Sequence, residues 1–82
     1  MREELAENER TRHGIRHMLR DRLTALGWSQ RKLAAASGLY PPHVSDLLSG
    51  KTDMRATTAE RMIRAMGGRF AGGAIEWSNH DP

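Results

Sequence analysis

The sequence contains no cysteine, few aromatic residues and no long hydrophobic segment. Without cysteine, neither a disulfide nor a thiolate metal site stabilises the 82 residues. The four aromatic side chains do not form a cluster for stacking on RNA bases. No run of about 18 apolar residues is present, and the charged residues 1–12 do not resemble a signal peptide. We therefore expect a cytoplasmic protein that does not span a membrane.

The sequence also lacks the motifs of enzymes and metal sites. His13 and His17 lie four residues apart, as zinc ligands on one helix face do, but no third ligand or HExxH string accompanies them. No nucleophile elbow or phosphate-binding glycine loop is present, and the glycine pairs at 67–68 and 72–73 are typical of helix ends. We expect no catalytic residues, no metal and no cofactor.

Positive charge is concentrated in the middle of the chain. The sequence has 13 basic and 10 acidic residues, for a net charge of +3. Residues 15–69 alone carry +6, whereas residues 1–14 carry −1 and residues 70–82 carry −2. A basic region suits a polyanionic partner, because phosphate contacts supply most non-specific affinity for nucleic acids. An ordinary solvated surface has the same composition, so charge alone does not decide between the two.

Residues 29–51 predict two short helices joined by a tight turn. Ser29 is a suitable N-cap, and Gly38 is a suitable helix end because glycine adopts left-handed backbone angles. Pro41 and Pro42 favour the first turn of the second helix, where a missing N–H costs nothing. The side chains that we expect to face inward are Leu33, Ala34 and Ala36 in the first helix and Val44, Leu47 and Leu48 in the second.

This stretch resembles the helix-turn-helix of the lambda repressor and Cro family, also called XRE-like. The matching residues are Gly27-Trp28-Ser29-Gln30, Leu33-Ala34, Ser37-Gly38-Leu39, Val44-Ser45, Leu47 and Ser49-Gly50-Lys51. The resemblance extends over residues 15–67. It implies an all-α fold, a compact four- to five-helix lambda-repressor-like domain, whose second motif helix enters the DNA major groove.

Further helices are expected on both sides of the motif. Residues 15–26 predict an amphipathic helix whose outward positions include Arg16, Arg20 and Asp21. Its apolar stripe comprises Ile15, Met18, Leu19, Leu23 and Leu26. A later helix, up to residue 66, is expected to start with a capping box formed by Thr57 and Glu60.

The two ends of the chain are expected to differ from this central domain, residues 15–69. Residues 1–14 form either a polar arm or a helical extension that frays at its start, and we favour the extension. Residues 70–82 form a tail in which apolar and other residues alternate as in a strand. No partner strand is evident elsewhere. The tail is therefore either irregular or a dimerisation strand that pairs with its copy in a second subunit through Phe70, Ile75 and Trp77.

The resemblance also implies which residues contact DNA. The base-reading positions fall on Tyr40, Pro41, Pro42, His43, Ser45 and Asp46. The backbone-phosphate positions fall on Gln30, Arg31, Ser49, Lys51, Thr52 and Arg55. The family commonly reads bases with glutamine, serine and arginine, and this sequence departs from that pattern. Proline has no donor and offers only apolar contact, for example to a thymine methyl group, whereas an aspartate accepts from the cytosine amino group.

Together these features predict a sequence-specific double-stranded DNA-binding transcriptional regulator. We expect a homodimeric repressor or autorepressor of a phage, mobile-element or stress operon, bound to an inverted repeat. One alternative is an antitoxin with the same fold and a toxin partner. Another is a helix-turn-helix module used only for protein contacts, which the proline pair at 41–42 favours.

Overall fold

Four helices precede a short antiparallel hairpin in the part of the chain that the structure describes. The structure is a computed structural model that describes residues 2–71 and 74–78, with side-chain surroundings from residue 14 onward. The elements are α1 (Arg2–Leu26), α2 (Gln30–Ser37), α3 (Pro41–Ser49), α4 (Ala56–Ala65), β1 (Gly68–Ala71) and β2 (Ala74–Trp77). The predicted small helical domain is confirmed.

Helix α1 is a single helix of 25 residues, about 37 Å long. The helical extension expected for the N-terminal segment is therefore present, and Gly14 lies inside the helix. The prediction that Arg16 faces outward is wrong, because Arg16 is only 9% exposed. Conversely, Met18 of the expected apolar stripe is 36% exposed, whereas Leu19 and Leu23 are buried.

The core lies where all four helices meet. Helix α1 contributes Leu19 and Leu23, and Trp28 packs against the edge of the same cluster. The other buried apolar side chains come from the remaining three helices and from the residue after α4. They are Leu33, Ala34, Val44, Leu47, Leu48, Ala59, Met62, Ile63 and Met66. Five of the six inward positions predicted for the two motif helices are among them. The prediction is wrong for Ala36, which is exposed, because Ser37, four residues after Leu33, takes the inward position instead.

Helix α4 does not begin with the predicted capping box. It starts at Ala56, and the N-cap residue is Arg55, whose side chain makes no cap hydrogen bond. Thr57 therefore already lies inside the helix instead of preceding it. Glu60 forms an ion pair of 2.7 Å with Arg64 one turn later, which accounts for its position on the helix surface.

The expectation that the chain offers no partner for the C-terminal strand is wrong. Strand β2 pairs with β1 of the same chain, with Gly68 opposite Trp77 and Phe70 opposite Ile75. Gly67, at φ 81°, turns the chain directly from α4 into β1. A strand that begins with glycine and contains an arginine gives little sequence signal, which explains why β1 was missed.

One face of the hairpin covers the end of the core. Successive side chains of a strand point to opposite faces, so Gly68, Phe70, Ile75 and Trp77 share one face. Ile75 and Trp77 pack against the core from this face, but Phe70 remains 46% exposed. The opposite face carries an ion pair between Arg69 and Glu76, with Nη2 and Oε2 3.0 Å apart.

Gly68→Ala is expected to destabilise the protein, because the residue lies directly beneath the Trp77 ring. An added Cβ would lie 2.4 Å from two ring carbons and 2.8 Å from Cγ2 of Ile63. Overpacking of this kind costs about 1–3 kcal/mol. Urea unfolding followed by circular dichroism measures this loss. Gly14→Ala is the matched control, because its Cβ would meet nothing within 4 Å and should stabilise α1 by up to about 1 kcal/mol. Equal stability of the two variants would contradict the packing described here.

Candidate nucleic-acid interface

The turn between α2 and α3 has the geometry that its sequence predicts. The Ser29 hydroxyl accepts a hydrogen bond of 3.1 Å from the N–H of Lys32 and so caps α2. Gly38 adopts left-handed angles at φ 71° and ends the helix. The N–H of Leu39 then donates to the carbonyl of Ala34 at 2.9 Å. These local bonds fix the direction in which α3 leaves the turn.

Helix α3 divides cleanly into a buried side and an exposed side. Val44, Leu47 and Leu48 are at most 1% exposed. The predicted base-reading residues are Tyr40, Pro41, Pro42, His43, Ser45 and Asp46. All of them are exposed except Asp46, which is half-buried. In the described part of the chain, their side chains make no hydrogen bond or ion pair. The predicted reading surface is therefore accessible and free of competing partners among the residues that the structure describes.

The turn that follows α3 is closed on the carbonyl oxygen of Asp46. That oxygen accepts from the N–H of Gly50, of Lys51 at 3.0 Å and of Thr52 at 3.3 Å. The Ser49 hydroxyl donates to the same oxygen at 3.2 Å. Gly50, at φ 85°, permits this tight arrangement. Three predicted phosphate-contacting residues thus lie together on one short turn.

The other predicted phosphate-contacting residues lie at the beginnings of helices. Gln30 is the first residue of α2 and Arg31 follows it, so both lie beside the free backbone N–H groups of that helix end. Arg55 is the N-cap of α4. All three side chains are exposed. The neighbouring Lys32 instead lies over the Trp28 ring, with Nζ 4.7 Å from its centroid.

Sequence reasoning missed two arginines of α1 that bind the end of α3. Arg16 donates from Nε to the carbonyl of Leu47 at 3.0 Å and from Nη2 to the carbonyl of Thr52 at 3.3 Å. Arg20 donates from Nη2 to the carbonyl of Leu48. A sequence signal was available for Arg16, because it precedes Leu19 and Leu23 by three and seven residues and so shares their helix face.

A third arginine of α1 binds the other end of the molecule. Arg22 donates from Nε to the carbonyl of Met66 at 3.1 Å and from Nη2 to that of Ser78 at 3.3 Å. Its guanidinium carbon lies 5.0 Å from the centroid of the Trp77 ring. Helix α1 therefore holds both α3 and the hairpin through backbone carbonyl groups.

The described residues contain no arrangement that would hold a metal. His17 pairs with Asp21 on the surface, at 3.3 Å, and the described part of the chain has no group of three metal-binding side chains. His13 lies outside the residues whose side chains are described. Within the same described ranges, no helix is both long and apolar enough to cross a membrane.

A family model for the helix-turn-helix matches residues 19–72, about two thirds of the chain. The chain therefore belongs to the XRE/lambda-repressor-like helix-turn-helix family. This membership supports a function like that of a DNA-binding transcription regulator. No curated protein and no solved structure shows a significant match to the chain.

Ser29→Ala is expected to lower the free energy of unfolding by about 1 kcal/mol, because the N–H of Lys32 loses its cap. Thermal or urea unfolding measures the loss. Ser45→Ala is the matched control, since Ser45 is exposed and caps nothing, so its effect should stay within about 0.5 kcal/mol. The assignment of Ser29 as the N-cap fails if the two variants are equally stable.

Proposed function

We propose that the protein is a sequence-specific double-stranded DNA-binding repressor or autorepressor that acts as a homodimer on an inverted repeat. A phage, mobile-element or stress operon is the setting we favour. The observation that carries the proposal is the division of α3. One side of the helix is fully buried in the core. The side chains on the other side are exposed, apart from the half-buried Asp46, and make no hydrogen bond or ion pair with the described residues.

The exposed side of α3 suits base contacts of a particular kind. None of its residues from Tyr40 to Asp46 is a cation, and two of them are prolines at the first helical turn. Prolines read the thymine methyl group by apolar contact, and Asp46 accepts from a cytosine amino group. His43 and Ser45 supply hydrogen bonds to base edges. We propose that base-specific affinity depends mainly on His43, Ser45 and Asp46.

The surrounding residues suit contacts with the phosphate backbone. Lys51 and Thr52 lie on the turn closed over the end of α3, and Gln30 lies at the start of α2. Contacts at these positions orient a protein on the duplex but carry no base information. We propose that Gln30, Arg31, Ser49, Lys51, Thr52 and Arg55 provide this sequence-independent part of the affinity.

Lys51→Ala and His43→Ala are expected to weaken DNA binding in different ways. Loss of the lysine should reduce affinity for all sequences and lower the slope of log K against log salt by about 0.9, because one phosphate contact is lost. Loss of His43 should cost about 1–3 kcal/mol on the specific site only. Fluorescence anisotropy with the DNA that precedes the gene, and with a scrambled duplex, measures both at several salt concentrations.

Two results of this experiment would contradict the proposal. A wild-type protein that binds both duplexes equally and weakly has no sequence specificity, as expected for a module used only for protein contacts. A His43→Ala variant with wild-type preference removes His43 from the reading surface. Lys32→Ala is the control for the lysine, because its ammonium group already lies over Trp28 and its loss should leave the salt slope unchanged.

The homodimer is supported by the hairpin. A two-stranded sheet is marginally stable alone and has edges that another chain can pair with. Phe70 lies on the hairpin face that covers the core, yet it is 46% exposed, and Ile75 opposite it is only partly buried. We propose that Phe70, Ile75 and Trp77 form the dimer contact, which would place two α3 helices about 34 Å apart on successive major grooves.

Phe70→Ser is expected to raise the dissociation constant of the dimer on the order of tenfold, because an aromatic side chain no longer fills the contact. Sedimentation equilibrium measures this change, and circular dichroism checks that the monomer remains folded. Tyr40→Ser is the control, since it removes an aromatic residue that is 77% exposed but lies on α3. A wild-type chain that is monomeric at every concentration, or equal effects of both variants, would exclude this dimer.

The exposed Phe70 also favours a second candidate function, an antitoxin whose hairpin contacts a toxin. The two candidates differ when the chain is produced alone. A homodimeric repressor associates by itself through Phe70, whereas this antitoxin needs the product of a neighbouring gene to cover that side chain. Co-expression with the neighbouring gene, using wild type and Phe70→Ser, distinguishes them.

A further inference from the structure

The C-terminal end of α3 is bound by two cations from a different helix. Nε of Arg16 donates to the carbonyl of Leu47, and Nη2 of Arg20 donates to that of Leu48. The last carbonyl groups of a helix have no partner within it and carry the negative end of its dipole. The two guanidinium groups therefore satisfy these oxygens and offset the local negative charge.

Arg16 also joins the helix to the turn that follows. Its Nη2 lies 3.3 Å from the carbonyl oxygen of Thr52, five residues beyond Leu47. One planar guanidinium group thus bridges the last turn of α3 and the far end of the turn that contains Lys51. The bond to Leu47 is buried and the residue is 9% exposed. Arg16 is therefore well shielded from solvent and does not itself face a ligand.

We propose that Arg16 and Arg20 are positioning residues of the DNA interface. This proposal rests on the proposed function. The two arginines hold the end of α3 and the turn with Lys51 and Thr52 in the orientation that binds phosphate. The bonds to the Asp46 carbonyl close the turn on itself. The bonds from α1 fix that closed turn relative to the rest of the domain.

The charge of the arginines supports the same role. DNA phosphate is repelled by exposed helix carbonyl groups and attracted to Lys51 on the same turn. Cations bound to these carbonyl groups offset the negative potential that would otherwise repel a phosphate group. A buried Arg16 acts in this way without touching DNA, because the interaction of charges in a partly buried site is poorly screened.

The first experiment compares Arg16→Gln and Arg20→Gln with Arg22→Gln. The control arginine lies on the same helix and also donates to two carbonyl groups, but these belong to Met66 and Ser78. Glutamine has nearly the helix propensity of arginine. We expect Arg16→Gln and Arg20→Gln to raise the Kd for specific DNA on the order of tenfold, the effect of one lost charge-assisted contact. Arg22→Gln should change it less than about twofold on a duplex with a single half-site, because Trp77, which Arg22 contacts, belongs to the proposed dimer contact and a single half-site needs no dimer.

All Kd values are measured on a duplex with a single half-site, at a temperature where urea unfolding shows each variant to be folded. The inference is overturned if Arg22→Gln weakens DNA binding as much as Arg16→Gln does, because the effect then follows stability alone. Arg20→Lys should restore affinity, since an ammonium group can donate to a single carbonyl. Arg16→Lys should not, because one ammonium group replaces two donors directed at different carbonyl groups.

A double-mutant cycle tests whether Arg16 acts through the turn. If it does, Arg16→Gln should have little effect on Kd once Lys51 is already alanine, so the two effects combine to less than their product. Independent, multiplying effects would overturn the inference. For Arg20, a direct phosphate contact would lower the salt slope by about a further 0.9 when Arg20→Gln is added to Lys51→Ala, which would contradict a role that acts through the turn.

Amide hydrogen exchange separates this inference from the proposed function. The N–H groups of Lys51 and Thr52 should exchange faster in Arg16→Gln than in wild type or Arg22→Gln, with no DNA present. If wild type shows no preference among DNA sequences, the proposed function fails. If wild type binds specifically but these amides exchange equally in all three proteins, the positioning inference fails alone.

Discussion

The burial of one side of α3 is the constraint on which the rest of the structure depends. Nine residues are too few to form a stable helix alone in water. Val44, Leu47 and Leu48 are fully buried, and each contributes about 1.5–3 kcal/mol when removed from water. Because these buried side chains pack α3 against the core, its exposed side is not needed for that packing and remains available for a ligand.

Helix α1 complements this apolar packing with directed polar contacts. Leu19 and Leu23 fill the core, and the arginines on the same helix reach backbone carbonyl groups at both ends of the domain. Apolar packing tolerates small rotations of a helix, whereas a guanidinium group bonded to two carbonyls fixes a direction. Orientation of α3 therefore depends on contacts about 30 residues away in sequence, with 31 separating Arg16 from Leu47.

A structural feature could be predicted from the sequence when the residues that determine it lie close together in the chain. The motif helices, their ends and most of their buried residues were predicted, because Ser29, Gly38 and the apolar spacing act within a few residues; Ala36 was placed inward in the position that Ser37 takes. Arg16 was placed on the wrong side, since its charge suggested solvent and its carbonyl partners are distant in sequence. The prediction of a capping box was wrong because α4 begins one residue before Thr57, with Arg55 in the N-cap position.

The hairpin shows a different limit of sequence reasoning. The alternation at Ile75 and Trp77 indicated β2, but β1 depends on Gly68 being small enough for the Trp77 ring to pack over it. Gly68 weakens the strand signal in the sequence, yet its lack of a side chain is what permits β1 to pair with β2. The pairing removes the need for a second subunit to complete the sheet, so the proposed dimer depends instead on the exposed side chain of Phe70 and on the sheet edges.

The composition of the exposed side of α3 determines how this protein can recognise DNA. The residues from Tyr40 to Asp46 include no arginine or lysine, so they cannot form the bidentate contact to guanine that is the most common specific contact in the major groove. The cations instead lie on the flanking turn and at the helix beginnings, where we propose that they contact phosphate. Under the proposed function, affinity then comes mainly from the backbone, and specificity comes from a few contacts and from DNA shape. In such an interface small changes in the orientation of α3 alter which bases are reached, so the arginines that fix this orientation influence specificity without contacting a base.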